Sequence, residues 1–251
     1  MRLFLAAALA TVPAAAHADA LLTQALANGG AYDAADWAYV STTQVWTGGT
    51  TVVGDALHKM RDGERPRPPL RTERVVQFDP SKPVGQRTKV VRETTSKEVK
   101  VEADESDDFP AYQELAKLVQ GQPKLVAQTS TTATYRGWVD PAKVRNFGSV
   151  DIESTEPLPP LAGTFTVQKT GPGAPYVKSV VIALPTGDKG RGNALGKVRQ
   201  MSFGFRYAPD PQKGVKLLQA FGMDSSLQGL GLVTIDFSLL TKVSGYRYVG
   251  K

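Results

Sequence analysis

Three long segments near the end of the chain alternate apolar and polar residues, and this pattern constrains the fold more than any other feature. A period of two residues is typical of a β-strand with one buried face and one wet face. The apolar positions form three sets: Val180, Ile182 and Leu184; Met201, Phe203, Phe205 and Tyr207; and Val233, Ile235, Phe237 and Leu239. The sequence therefore predicts a large antiparallel sheet.

The rest of the chain adds shorter strands and a few helices. β-Branched and aromatic runs predict strands at 37–46, 71–78, 124–139, 150–153 and 163–169, and a hairpin of 87–93 with 97–102. Apolar spacing predicts a helix at 21–27, a helix with Tyr112, Leu115, Leu118 and Val119 on one side, and a helical turn near 140–147. The apolar segment 215–227 predicts a helix or flap lying on the sheet.

These elements include no strand–helix–strand repeat, which excludes a doubly wound α/β fold and a TIM barrel. The predicted fold class is mainly β with a few helices. The sheet is expected to be strongly curved, or a half-open barrel, with a helical lid formed by 112–119 and 215–227.

The first twenty residues have the pattern of a secretory signal peptide. Arg2 precedes a short apolar run, Pro13 breaks it, and small residues permit cleavage after Ala18 or Ala20. We therefore predict a signal peptide at 1–18 and a single domain at 19–251. The expected location is the periplasm, without a transmembrane helix.

The positive charge belongs to the predicted mature domain. The whole chain carries 30 basic and 24 acidic residues, and the predicted cleavage removes only one basic residue. The polyanions outside the cytoplasm are lipid headgroups rather than nucleic acid. An anionic membrane surface is therefore an expected partner and nucleic acid is not, with simple solubility as the other explanation of the charge.

The lack of cysteine limits the chemistry available to the chain. A sequence without Cys has no disulfide, no thiolate metal site and no lipid-anchoring thiol. Only His58 remains after the predicted cleavage, so one chain cannot build a multi-histidine metal site. We expect no metal, no cofactor and no enzymatic activity, with a hydrolase using carboxylates or His58 as one alternative.

Two loops resemble ion-binding motifs only superficially. The acidic run 102–108 has five carboxylates but not the calcium-loop pattern, so we interpret it as a solvated segment that caps a helix. The Gly-rich run 186–197 is one residue short of a phosphate loop and predicts a long hairpin tip. Three basic residues of this tip are candidate contacts for anionic headgroups: Lys189, Arg191 and Lys197.

The apolar strand faces and helices are either ordinary core or the wall of an apolar pocket. The curved sheet needs something to fill its concave side, and the predicted helices are few and short. The candidate pocket residues are Met201, Phe203, Phe205, Tyr207, Ile235, Phe237, Leu239, Leu115, Leu118 and Phe221.

Two family resemblances follow from the quoted residues and the order of elements. Residues 78–87, FDPSKPVGQR, resemble an FDPSxPxGxR signature of secreted α-proteobacterial proteins, a resemblance that implies no activity. The order of a signal peptide, an N-terminal helix, early Trp-containing strands, a mid-chain helix and late strands ending in Tyr246-Arg-Tyr248 is similar to the LolA/LolB-like periplasmic lipoprotein carriers. That likeness implies a half-open barrel with a helical lid over a cavity for acyl chains.

The leading hypothesis is a non-catalytic periplasmic protein that binds or carries a lipid or the acyl chains of a lipoprotein. A second hypothesis is a structural or assembly module of the envelope, with a filled core and a protein partner. The two differ in whether the apolar side of the sheet is open or packed.

Overall fold

The fold is seen in a computed structural model that describes residues 14–33, 36–47, 50–51, 53, 59–60, 70–78, 88–93, 96–102, 111–144, 160–184, 192–193, 196–229 and 234–250. It is mainly β, as the alternation predicts. The helical elements are α1 (Ala14–Ala27), a 3-10 turn (Tyr112–Glu114), α2 (Leu115–Leu118) and α3 (Pro141–Val144).

Fourteen strands lie within the described residues. The first six are β1 (Trp37–Thr47), β2 (Thr50–Thr51), β3 (Lys59–Met60), β4 (Leu70–Phe78), β5 (Thr88–Glu93) and β6 (Ser96–Glu102). The next four are β7 (Val119–Gln128), β8 (Thr132–Val139), β9 (Leu161–Gln168) and β10 (Tyr176–Ala183). The last four are β11 (Gly192–Asn193), β12 (Gly196–Pro209), β13 (Lys216–Gly229) and β14 (Thr234–Tyr248).

Twelve of these strands form one antiparallel sheet. Its order is β6-β5-β4-β1-β14-β13-β12-β10-β9-β8-β7, with β11 paired to β12, while β2 and β3 pair separately. Within the described part of the chain β6 and β7 are the two edges and do not pair with each other, so the sheet is open rather than a closed barrel. The pairing of β1 with β14 brings the first and the last of these strands together.

Different groups of residues pack on the two faces of the sheet. The inner face carries the main core, in which Phe165, Val180 and Phe205 are buried on neighbouring strands β9, β10 and β12. Helix α1 packs on this face against β7 and β10, and the 3-10 turn contacts β13. On the outer face, a smaller cluster joins Trp46, Ala220 and Leu240 with the partly buried Val53.

The predicted N-terminal helix is present, and it begins earlier than its apolar stripe. The stripe lies where the sequence indicates, with Leu22 and Ala25 buried and Leu21 and Leu26 packed against the core. The helix ends before Gly30, whose φ of 73° is a left-handed conformation that glycine adopts without a steric cost.

The predicted helix or flap at 215–227 is wrong. The segment forms β13, a central strand between β12 and β14. Arg206 on β12 pairs with Ala220 on β13, but the next residue, Tyr207, pairs with Leu218. β13 therefore has one extra residue, a β-bulge, at this point. This bulge puts two apolar residues three positions apart on the inner face, a spacing that imitates a helix.

Two other boundaries also differ from the sequence-based expectation. The mid-chain helix ends at Leu118, and Val119 already belongs to β7. A turn after β7 leads into β8, which pairs with it. The segment 124–139 is therefore a hairpin rather than one strand. Its turn is closed by the Thr129 hydroxyl, which accepts hydrogen bonds from the backbone N–H groups of Thr131 and Thr132.

Candidate functional site

The described candidate pocket residues lie on the inner face of the sheet or, for Leu115 and Leu118, on α2, and they differ in exposure. Phe203 and Phe205 are each 1% exposed in the main core. Two further residues, Phe237 and Leu239, are only half-buried. The other members of the set that are buried in the core are Met201, Tyr207, Phe221, Leu115 and Leu118.

The remaining site predictions fall outside what the structure describes. Lys189, Arg191 and His58 lie outside the described residues, and so do residues 103–108 of the acidic run. The side chains of Lys197 and Ile235 are not described either. Among the residues that are described, no group of three or more His, Asp or Glu side chains could hold a metal ion.

A single row of paired residues shows how burial changes across the inner face. Val45 on β1 pairs with Leu239 on β14, Leu239 pairs with Met223 on β13, and Met223 pairs with Phe203 on β12. Phe203 is fully buried, whereas the other three are half-buried. The apolar surface therefore continues beyond the part that the core covers.

We call Val45, Met223, Phe237 and Leu239 the half-buried strip. Met223 and Leu239 pack against the main core, so the strip is continuous with it. Some of its neighbours on the same face are hydroxylated: Ser225 pairs with Phe237, and the Thr43 and Thr241 hydroxyl oxygens are 2.9 Å apart. An apolar surface with a few hydroxyl groups suits an aliphatic chain better than a charged ligand.

Two members of the strip were missed by sequence reasoning. Met223 lies in the segment that the sequence predicts as a helix or flap, and Val45 lies in a strand whose alternating neighbours are mostly threonine. The signal for Met223 is its two-residue spacing from Phe221 and Ser225, which becomes visible once the bulge in β13 is recognised.

The covered part of the inner face is closed by hydrogen bonds as well as apolar contacts. The Tyr112 hydroxyl donates to the Ala25 carbonyl at 2.6 Å and accepts from the Val177 N–H at 2.6 Å. The Asn28 side chain donates to the Pro175 carbonyl at 2.8 Å, and the Lys216 N–H donates to the Gly29 carbonyl at 3.1 Å. The C-terminal end of α1 is thus fixed to β10 and β13.

Burial affects the ionisation of several groups in this region. It raises the pKa of Tyr112, which the hydrogen bond from Val177 partly opposes, and it raises the pKa of Tyr207 well above its usual value. The two rings meet edge to face with centroids 5.3 Å apart. Burial likewise raises the pKa of Tyr176 and lowers the pKa of Lys216.

The three tryptophans have three different environments. Trp37 is buried at the end of the sheet and meets Tyr246 and Tyr248 edge to face, while Trp46 is buried on the outer face. Trp138 is 52% exposed on β8. None of the three belongs to the half-buried strip.

Comparison with known proteins does not assign a family. No family model and no curated protein matches the chain. A solved structure described as lipid–protein interactions in lipovitellin resembles it with 9% sequence identity and a TM-score of 0.33, over 86% of this chain and 26% of that one. The chain thus spans about a quarter of the length of the lipovitellin chain. A TM-score this low assigns neither a family nor a ligand.

A row of buried polar residues crosses the outer face. Ser202, Asp224 and Ser238 are paired on β12, β13 and β14. The Asp224 carboxylate accepts from the Ser238 hydroxyl at 2.8 Å and from the Val53 N–H at 2.9 Å. This carboxylate therefore holds the backbone at Val53 against the sheet.

Asp224→Ala is expected to lower the free energy of unfolding by about 2–3 kcal/mol, because it leaves the Val53 N–H and the Ser238 hydroxyl without this acceptor. Urea unfolding of the wild type and the variant measures the change. Asp224→Asn retains one carbonyl oxygen and should lose about half as much. Equal stability of all three proteins would contradict this role for Asp224.

Proposed function

We propose that the protein is a non-catalytic binder or carrier of a lipid or of an acyl-bearing ligand, and that the acyl chain lies along the half-buried strip. The observation that carries the proposal is the row from Phe203 to Val45, where a filled core passes into half-buried apolar surface on the same face. Continuous apolar surfaces mark binding sites more often than isolated exposed residues do.

The energetics of an acyl chain fit such a surface. Burying a methylene group contributes about 0.8 kcal/mol, so even partial burial of a long chain gives strong binding without polar recognition. The flexible side chain of Met223 lets the surface adapt to chains of different shape. In this proposal the helical cover consists of α1 and residues 112–118, and the basic residues Lys189, Arg191 and Lys197 meet the anionic headgroup.

The proposed location is the periplasm, reached through a signal peptide cleaved after Ala18 or Ala20. The N-terminal sequence pattern supports it. None of the helices in the described residues is long and apolar enough to cross a membrane. The order of elements in the sequence resembles that of the LolA/LolB-like carriers.

One observation favours a second candidate function, a structural or assembly module of the envelope with a protein partner. Most of the candidate pocket residues, Phe203 and Leu115 among them, are buried in the main core and line no open surface. The half-buried strip would then be the surface that the partner protein covers.

Binding of a fluorescent long-chain fatty acid tests the first function. We expect the purified protein to bind it at micromolar concentration or below, and Leu239→Asp to weaken binding at least ten-fold because a carboxylate then interrupts the strip. Native mass spectrometry of the gently purified wild type should show a co-purified lipid.

Gln44→Asp is the matched control. Gln44 is half-buried like Leu239 and lies on the adjacent strand, but it shares the outer face with Leu240, its partner in the register. Its fatty-acid affinity should equal that of the wild type. A wild-type protein that carries no lipid and binds no fatty acid would refute the acyl-binding function and leave the assembly module.

A further inference from the structure

The outer face of the β7–β8 hairpin carries an unusual group of exposed side chains. Arg136 and Trp138 lie two residues apart on β8 and are both exposed on this face, opposite the buried Tyr135 and Val139. Lys124 on β7 is exposed and pairs directly with Arg136. We call Lys124, Arg136 and Trp138 the cationic patch.

The direct pairing of two cations has an electrostatic cost. Side chains of cross-strand partners are about 5 Å apart at Cβ, and like charges at that distance repel. The next residue in the row is Thr164 on β9, followed by Val181 on β10. The adjacent rows contain Gln120, Trp138 and Ala162 on one side and Ala127, Thr134 and Thr166 on the other.

None of these described neighbours is a carboxylate, so the charge of the cationic patch is not balanced within its own part of the sheet. An external anion would relieve the repulsion. The patch also offers the indole of Trp138, the side chain that is enriched where protein meets the headgroup layer of a membrane. Val126, 50% exposed, adds apolar surface to the same hairpin.

We propose that the cationic patch is a docking site for a membrane surface that contains anionic lipid. Trp138 enters the headgroup layer while Lys124 and Arg136 contact lipid phosphates. Asp140, just after β8, is the nearest carboxylate in the described sequence and accepts from the Ala142 N–H, while Lys143 on α3 is exposed and offsets its charge.

The edge strand itself is poorly suited to pairing with another protein strand. Pro123 in β7 has no N–H to donate, Gly121 has a φ of 69°, and the register with β8 shifts twice. These features protect a sheet edge against strand addition. The exposed side chains, rather than the backbone of β7, are therefore the binding feature of this hairpin.

This inference goes beyond the acyl site, because the cationic patch lies on the outer face and the half-buried strip on the inner face. Each can fail without the other. Together they would place the acyl-binding protein on a bilayer, where its ligand is available.

Vesicle binding by the full chain tests the inference. We expect sedimentation with phosphatidylglycerol-containing vesicles, little binding to pure phosphatidylcholine vesicles, and a loss of binding as salt is raised. Lys124→Gln/Arg136→Gln should bind roughly 25-fold more weakly, about five-fold for each cation. Trp138→Ala should bind roughly ten-fold more weakly.

A matched charge control is available in Lys178→Gln/Lys242→Gln, which removes two exposed lysines elsewhere on the sheet. We expect at most a two- to three-fold loss for this variant. A loss equal to that of the Lys124/Arg136 variant would reduce the effect to overall charge and overturn the cationic patch as a site. Equal binding to neutral vesicles, or displacement of the protein from vesicles by millimolar inorganic phosphate, would also overturn it.

Intrinsic fluorescence gives a second readout. Trp37 and Trp46 are buried, so Trp138 should report contact with the bilayer. Brominated lipids in the vesicles should quench wild-type emission, and Trp138→Phe should abolish that quenching while the fold is unchanged by circular dichroism. Quenching that persists in Trp138→Phe would show that another surface contacts the membrane.

Discussion

Phe205→Ala is expected to lower the free energy of unfolding by about 4 kcal/mol, since the substitution leaves a cavity in a filled core. Phe205 is 1% exposed and stacks on Phe221, with ring centroids 5.3 Å apart and an interplanar angle of 28°. Its strand partner toward β10, Val180, is also buried. Urea unfolding at neutral pH measures the effect.

The same experiment separates the two interpretations of the inner face. If Phe205 bordered an open pocket, alanine would enlarge a space that already exists, and the loss would stay below about 1 kcal/mol. Val126→Ala is the control, because this half-exposed side chain should change stability by no more than about 0.5 kcal/mol. A large loss for Phe205→Ala with fatty-acid binding retained would exclude Phe205 from the acyl site and leave the half-buried strip as the candidate.

Two sequence patterns were sufficient to predict most strands of the sheet: period-two alternation for the late strands, and β-branched and aromatic runs for the earlier ones. β1 and β4, the β5–β6 hairpin, β9, β10, β12 and β14 all occur close to the predicted positions. In β12, Met201, Phe203, Phe205 and Tyr207 keep a spacing of two and are all buried, so local sequence and burial agree there. The antiparallel sheet follows from these patterns.

The failure at β13 has a specific physical cause. This strand has buried residues on both sides, Phe221 on the inner face and Ala220 and Asp224 on the outer face. Without a wet face there is no alternation to read, and the bulge near Gln219 adds an apolar spacing of three. Only the pairing with β12 and β14 determines that the segment is a strand.

Only part of the half-buried strip could be predicted from the sequence, for the same reason. Phe237 and Leu239 lie on a regularly alternating strand, so the sequence identified them. Met223 lies on the bulged strand, and which residues stay half-buried depends on where α1 and residues 112–118 lie over the sheet. The exposure of Trp138 is also a tertiary property, because the sequence of β8 alone places Trp among other strand-forming residues.

Stability should fall steeply above pH 10, and two buried tyrosines should cause much of the fall. Burial raises the pKa of Tyr112 and of Tyr207, so both stay protonated in the folded protein when unfolded tyrosines, with a pKa of about 10, ionise. A raised folded-state pKa gives a contribution that is complete below pH 10 and is lost as pH rises. At pH 11 each tyrosine should account for about 1.4 kcal/mol of lost stability.

Urea unfolding of the wild type, Tyr207→Phe and Tyr112→Phe/Tyr207→Phe between pH 8 and pH 11 measures this dependence. The phenylalanine variants lose hydroxyl contacts, so Tyr112→Phe should cost about 2 kcal/mol even at neutral pH. That cost is constant with pH, whereas ionisation changes only how steeply the free energy of unfolding falls with pH above pH 10. This fall should become less steep with each substitution.

Parallel curves for all three proteins up to pH 11 would contradict the burial of these hydroxyls. A reduced slope would instead show that the Tyr112 hydroxyl is protected from water where it joins α1 to β10. The C-terminal end of α1 is then held to β10 through this hydroxyl. In the proposed function an acyl ligand would therefore lie at Val45 and Leu239, where the row of paired residues on the inner face is half-buried.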